Sequence, residues 1–225
     1  MFSMHVATNS NKQNSRNIRN NKHLARRIAR TSSFTTRGYF PSRKNSARLY
    51  FESYLELWQL IEAEYAADIH YINTQPHTIK YINSKGNLAQ YTSDVMFKLA
   101  NGTYQFREVK PEIFCDEAKF KRIKEVYKDV GPEFDVFTDK TYSQTRQDNL
   151  AQLFHFSSQY FDVDERLFAA LNVLPEQCAI AEASALLRQY KQWPAATFYC
   201  LFLQYYLCDL ELPLSPNTVI TRNIF

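Results

Sequence analysis

Tyr91-Thr92-Ser93-Asp94-Val95-Met96-Phe97 and, thirteen residues beyond Asp94, Glu108-Val109-Lys110-Pro111 are the stretches that decide how this chain is read. Between them lies Asn101-Gly102, the strongest short hairpin signal, so residues 89–99 and 103–110 are expected to be neighbouring antiparallel strands. Residues two apart on a strand share a face, which points Glu108 and Lys110 to one side. Two carboxylates on paired strands with a lysine beside them are what metal-dependent phosphodiester hydrolysis requires. Carboxylate oxygens hold Mg²⁺, and the metal stabilises the attacking or departing oxygen. The lysine orients a water and offsets charge on the phosphorus. An acid from an upstream helix, Glu52 or Glu56, would complete the set. By itself the pattern is weak, because acids and lysines on paired strands are often only a solvated face. Its place on the central hairpin of an α/β order strengthens it.

The hairpin also makes a geometric demand. A strict two-residue Asn101-Gly102 loop would pair Ala100 with Thr103 and set Asp94 against Val109, leaving Asp94 and Glu108 on opposite faces. A three-residue loop, Ala100-Asn101-Gly102, pairs Leu99 with Thr103 and brings Asp94 opposite Glu108. That loop ends in a left-handed residue, which suits Gly102. A bulge in either strand would have the same effect on parity.

Working outward, Gly38–Ser42 reads as a turn and a helix is expected from Asn45 or Ser46 to about Ala66, with Leu49, Leu55, Trp58 and Ile61 apolar. Short strands are expected at 69–73 and 78–82, with a turn at Ser84–Asn87. A second helix at 114–129 carries early acids and later bases and stops at Gly131-Pro132. A strand at 134–138 and a helix at 142–154 follow. The order α-β-β-β-β-α-β-α predicts an α/β sandwich around a mixed sheet.

Of the 225 residues, 45% are hydrophobic and 15% aromatic, which excludes wholesale disorder. With four glycines and neither a G-x-G-x-x-G nor a G-x-x-x-x-G-K-[ST] run, a Rossmann or P-loop enzyme is not expected. No apolar stretch reaches membrane-spanning length and no secretory leader is evident, so a soluble cytoplasmic protein is expected. The four cysteines lack metal-ligand spacing and read as buried free thiols. Charge divides sharply. Residues 1–50 hold eleven Lys/Arg and no acid, leaving sixteen bases and all twenty-three acids to residues 51–225. The basic arm, residues 1–36, reads as largely flexible, with one or two helical turns at HLARRIAR; it would neutralise phosphates or pack on an acidic partner.

Residues 156–225 differ in kind. Helices are expected at 163–172, 179–191 and 195–208, the last read as core, and then a hairpin turning at Leu212–Asn217. Three short helices and a hairpin suit a winged-helix-like module. Its four bases against seven acids make a poor footprint for duplex binding, so contact with a protein is at least as well supported.

Gly38-Tyr39-Phe40-Pro41-Ser42-Arg43-Lys44, Glu52-Ser53-Tyr54-Leu55-Glu56, Thr74-Gln75-Pro76, Tyr91-Thr92-Ser93-Asp94, Glu108-Val109-Lys110-Pro111 and Phe137-Thr138-Asp139 occur in one order. Together, over roughly residues 37–154, they resemble TnsA, the endonuclease subunit of heteromeric Tn-type transposases. That resemblance implies a restriction-endonuclease-like, PD-(D/E)xK core at 37–155, followed by the interaction domain at 156–225. It implies cleavage of the 5′ strand ends of a transposon in double-stranded DNA, beside a DDE transposase subunit (TnsB-like) and an AAA+ ATPase regulator (TnsC-like). It places the helical catalytic glutamate on Glu56, with Glu52 a neighbour. Asp94, Glu108 and Lys110 fall on the remaining catalytic positions. Asp94 and Glu108 are then ligands of Mg²⁺, with Mn²⁺ as a substitute, the Val109 carbonyl is a further ligand, and Glu56 serves a second ion or its water. Two other readings stay open, a stand-alone restriction or repair nuclease and a catalytically silent transposition adaptor.

Overall fold

The computed structural model describes residues 36–158 and 164–223. The basic arm, with its expected helical turns, lies outside the described residues except for Thr36. The chain divides into two units. One contains Asp68–Thr138 with the described residues up to Glu56; the other contains Leu57–Ala67 and the residues from Asp139 onward.

The first unit opens with a hairpin, β1 (Gly38–Ser42) and β2 (Ala47–Phe51), paired from Gly38–Phe51 to Ser42–Ala47. The helix expected from Asn45 is therefore shorter. Leu49, Tyr50 and Phe51 are buried in succession at the end of β2, and α1 occupies only Tyr54–Tyr65. Leu49, one of the apolar positions assigned to that helix, is a buried strand residue. The hairpin tip caps a sheet edge. Asn45 accepts from Ile72 N–H at 3.1 Å and donates to Ile72 C=O at 2.6 Å, while Lys44 Nζ donates to Ile69 C=O at 2.6 Å. One side-chain amide thus takes the place of a further strand on an edge that would otherwise be open.

The edge belongs to β3 (Ile69–Thr74), first strand of a four-stranded mixed sheet in the order β3-β6-β7-β8, with β6 Val95–Leu99, β7 Tyr104–Val109 and β8 Glu133–Phe137. The first two pairings are antiparallel and the last is parallel. The strand expected over 89–99 is broken. Leu88–Thr92 forms β5, which pairs with β4 (Thr78–Ile82) in a separate two-stranded sheet, and the chain bends at Ser93-Asp94 before β6. A 3-10 turn at Glu112–Phe114 leads into α2 (Glu117–Val130), where the Asp116 carboxylate caps Lys119 N–H at 2.9 Å and Gly131 ends the helix. Phe120, Ile123 and Tyr127 of α2 form an aromatic-rich core with Ile79, Tyr91, Phe106 and Phe134. Tyr127 stacks on Phe106 at 4.7 Å and on Phe134 at 5.3 Å.

In the second unit, α3 (Gln144–Ser158) is followed by α4 (Glu165–Val173), β9 (Gln177–Ala179), α5 (Ile180–Gln189), α6 (Ala196–Phe202), β10 (Tyr206–Leu207) and β11 (Val219–Arg222). The three strands form an antiparallel sheet in the order β10-β11-β9. The helix expected over 195–208 ends at Phe202. Gln204 sits at φ 60°, a left-handed residue that ends helical propagation and lets the chain re-enter as β10. Nearly all of α6 is buried. Phe198 stacks on Phe156 at 5.2 Å and Phe202 meets Phe154 at 5.6 Å, so α3 covers one side of α6. Within this unit Arg146 holds the buried Glu62 through Nε and Nη2 at 3.1 and 3.2 Å. None of the four cysteines is joined in a disulfide; Cys178 and Cys200 are buried, Cys115 and Cys208 half-buried. Among the described residues no helix is long and apolar enough to cross a membrane.

Candidate active site

The β6–β7 hairpin has the register that the carboxylates need. Val95 pairs with Arg107 and Lys98 with Tyr104. Leu99 N–H donates to Thr103 C=O at 2.9 Å, and Gly102, at φ 83°, donates to Leu99 C=O at 2.9 Å. The loop is thus Ala100-Asn101-Gly102, with Gly102 supplying the left-handed backbone at its end. The Asn101 side chain fixes the loop, accepting from both Thr103 N–H and Thr103 Oγ1. Continued one step beyond its last pair, this register would set Asp94 opposite Glu108.

Glu108 shares its face of β7 with Phe106, which lies in the α2 core, whereas Arg107 turns to the other face and grips Asp135 of β8. The Asp94 carboxylate extends the ladder where β6 stops: Oδ2 accepts from Val109 N–H at 2.8 Å. The Asp94 carbonyl accepts from Gln75 N–H at 2.7 Å, and Gln75 takes the left-handed conformation at φ 51°. Lys110 Nζ stands 3.9 Å from Glu108 Oε1. The lysine side chain is 37% exposed and the glutamate 10%, so the ammonium is open to a substrate while the carboxylate is largely enclosed. Lys110 N–H donates to Phe137 C=O at 2.9 Å, which anchors the end of β7 to β8.

Tyr91, from the separate β4–β5 hairpin, reaches the same place. Its hydroxyl donates to Glu108 Oε2 at 2.5 Å. Burial, and then the Glu108 charge, push the phenol far above its ordinary pKa, so it remains a donor throughout the working pH range. Burial also raises Tyr127, to about 12. The Tyr127 hydroxyl and the Ser93 hydroxyl are both buried and complete no hydrogen bond of normal geometry.

Glu56 has a different local setting. Ser53 Oγ accepts from Glu56 N–H at 3.1 Å while Glu56 Oε2 accepts from Glu52 N–H at 2.8 Å. Ser53 thus caps the start of α1, while Glu56 reaches back past it to Glu52, one residue beyond the partner a reciprocal S-x-x-E box would use. Asp94, Glu108, Val109 and Lys110 therefore come together on paired strands. Among the described residues no three His, Cys, Asp or Glu converge in a set able to hold a metal, so Glu56 does not join the two strand carboxylates in one cluster. An all-oxygen pair still fits Mg²⁺, which is commonly held through one or two carboxylates and keeps several waters. Tyr91 stands in the quoted stretch, but no pattern gives it a role; only the contact between two sheets reveals one.

No curated protein matches the chain. The family model described as TnsA-like endonuclease N terminal matches residues 66–139, a span that includes Asp94, Glu108, Val109 and Lys110 and begins after Glu56. The mixed sheet flanked by helices is consistent with the restriction-endonuclease-like fold of that family. Over residues 66–139, about a third of the chain, the protein is therefore similar to the TnsA-like endonuclease N-terminal domain.

Proposed function

We propose that this protein is a Mg²⁺-dependent DNA endonuclease subunit of a cut-and-paste transposase. It would cleave the 5′ strand ends of the transposon while a DDE transposase partner (TnsB-like) acts on the 3′ ends. The observation that carries this reading is the Asp94 carboxylate on Val109 N–H at 2.8 Å, next in the chain to Glu108, with Lys110 3.9 Å from Glu108. In that reading Asp94 and Glu108 hold the divalent ion, Mg²⁺ or Mn²⁺, together with the Val109 carbonyl. The bound ion supplies charge neutralisation at the scissile phosphate. Lys110, the exposed cation of the set, orients the attacking water and offsets charge gathering on the phosphate oxygens. Glu56 serves as the helical carboxylate for a second ion or its water.

The parts proposed around this centre are a basic arm at 1–36 on DNA or on a partner, a nuclease domain at 37–155, and a winged-helix-like domain at 156–225. The succession α4-β9-α5-α6-β10-β11 with sheet order β10-β11-β9 supports the last assignment. A winged helix that reads DNA lays its third helix in the major groove. Here that helix is α6, buried and covered by α3, and the domain is acidic. We therefore assign it to protein contact, with an AAA+ regulator (TnsC-like) as the expected partner and the cytoplasm as the expected location. The test is a reconstituted reaction of the full chain, the DDE partner and the ATPase on a donor plasmid. Asp94→Asn should abolish 5′-strand cleavage while 3′ joining continues, turning simple insertions into cointegrates. Cleavage of both strands by Asp94→Asn would overturn the assignment.

A further inference from the structure

Glu108 is the more enclosed of the two strand carboxylates, and its two oxygens have different neighbours. Oε1 faces Lys110 at 3.9 Å, and Oε2 receives the Tyr91 hydroxyl at 2.5 Å. Tyr91 belongs to the β4–β5 hairpin, which makes no ladder with the sheet that carries Glu108. Its ring is fixed independently of the bond, 6% exposed, edge-on to Phe134 at 5.9 Å and beneath Lys119 Nζ at 5.4 Å. A hydroxyl on a ring held this way leaves the carboxylate little freedom about its last torsion. A terminal carboxylate torsion is otherwise broad and twofold.

We propose that Tyr91 is a positioning residue that sets the orientation of the Glu108 carboxylate for divalent-metal binding. It presents Oε1 toward Lys110 and the ion while occupying Oε2. The inference rests on the proposed metal-dependent reading and assigns it a residue outside the acid-and-lysine set. Outer-shell hydrogen bonds of this kind commonly change metal affinity by about 10- to 100-fold.

The test uses the full chain without DNA, with Mn²⁺ as the probe and free Mn²⁺ read by electron paramagnetic resonance. Asp94→Ala is the reference for binding at this centre. If the wild-type chain shows no Asp94-dependent binding, the metal-dependent reading itself fails. If wild type binds, Tyr91→Phe, which keeps the ring and removes only the hydroxyl, should weaken affinity at least about tenfold. Phe134→Leu, which disturbs the packing of the ring but leaves the donor, should lower thermal stability with affinity held within about threefold. Tyr91→p-aminophenylalanine restores a para donor and should recover affinity to within about threefold of wild type. Wild-type affinity in folded Tyr91→Phe overturns the proposal, and so does an equal loss in the p-amino variant. Should Tyr91→Phe fail to fold, the p-amino variant decides alone: retained binding supports the role and lost binding refutes it.

Discussion

Replacing Asp94 by asparagine and by alanine separates what its charge does from what its hydrogen bond does. In the native hairpin Oδ2 accepts from Val109 N–H at 2.8 Å, at the end of a strand where Val109 is only 8% exposed. Alanine leaves that amide without its acceptor, and a buried unpaired amide costs about 1–3 kcal/mol. Asparagine keeps a carbonyl oxygen for it. Both substitutions also remove one of two negative charges at this end of the hairpin, and like charges opposed on neighbouring strands are destabilising. The charge contribution cancels between the two variants, so Asp94→Ala should be less stable than Asp94→Asn by about 1–3 kcal/mol. Asparagine should match or slightly exceed wild type when no divalent ion is present. Urea unfolding at pH 7 in EDTA, followed by circular dichroism, measures all three proteins. Neither variant should cleave DNA. Equal stability of the two variants would refute the Val109 hydrogen bond as a holding contact. Marked destabilisation of the asparagine protein would refute the electrostatic reasoning.

Glu56→Ala and Glu56→Gln should both lose 5′-strand cleavage, but only alanine should lower stability, by about 0.5–1.5 kcal/mol, because glutamine preserves an acceptor for Glu52 N–H; wild-type cleavage by the glutamine variant would remove Glu56 from the chemistry. Leu150→Ala, at a fully buried position of α3, should cost about 2–5 kcal/mol in urea unfolding, and a loss below about 1 kcal/mol would contradict the packing described for that helix. His77 is half-buried against Phe106 at 4.9 Å and burial lowers its pKa below 6.5. The unfolded chain then binds the proton more readily, so this contribution to stability is complete above pH 6.5 and is lost as pH falls toward the folded value. The difference between wild type and His77→Phe, measured by urea unfolding from pH 7.5 to 5, should change in that direction and not the reverse. Deleting residues 1–30 removes seven Lys/Arg; if these touch phosphates, the slope of log affinity against log salt flattens by about 0.9 per lost contact, and an unchanged slope assigns the arm to a protein partner.

Much of the central hairpin was legible in the sequence because Asn101-Gly102 and the parity of strand side chains together leave few registers. Demanding that Asp94 and Glu108 share a face selected the three-residue loop, and Gly102 has the backbone conformation that loop needs. The β1–β2 hairpin was not legible. Leu49 fits a helical stripe drawn on to Leu55, Trp58 and Ile61 as well as it fits the strand period, and nothing local in Asn45 announces that its amide pairs with Ile72. The setting of Glu56 was hidden for a related reason. Ser53-Tyr54-Leu55-Glu56 reads as a source of a helical carboxylate, and only the folded chain reveals that this carboxylate accepts from Glu52 N–H. The buried face of α6 was legible from its run of apolar residues, whereas α3 as its cover depends on tertiary contact.

The break at Ser93-Asp94 is the feature on which the centre turns. Along one uninterrupted strand, Tyr91 and Asp94 would lie about 10 Å apart at ~3.3 Å per residue, and their odd separation would send them to opposite faces. A single strand over 89–99 could therefore bring one of them to Glu108-Val109, but not both. Bending at Ser93-Asp94 hands the first half to β4 and the second to β7, so the chain approaches the end of β7 from two sheets. Asp94 then takes the Val109 amide while Tyr91 takes the Glu108 carboxylate. The bend itself is held from the far side, where Gln75 adopts a left-handed backbone to donate to the Asp94 carbonyl. A non-glycine residue there costs of order 1–3 kcal/mol and persists only where its surroundings fix it. Gln75→Gly should accordingly relieve local strain while loosening the bend, giving a protein as stable as wild type or more so, with weaker Mn²⁺ binding. A Gln75→Gly chain that is less stable yet binds Mn²⁺ normally would show that the left-handed residue serves the fold and not the carboxylates.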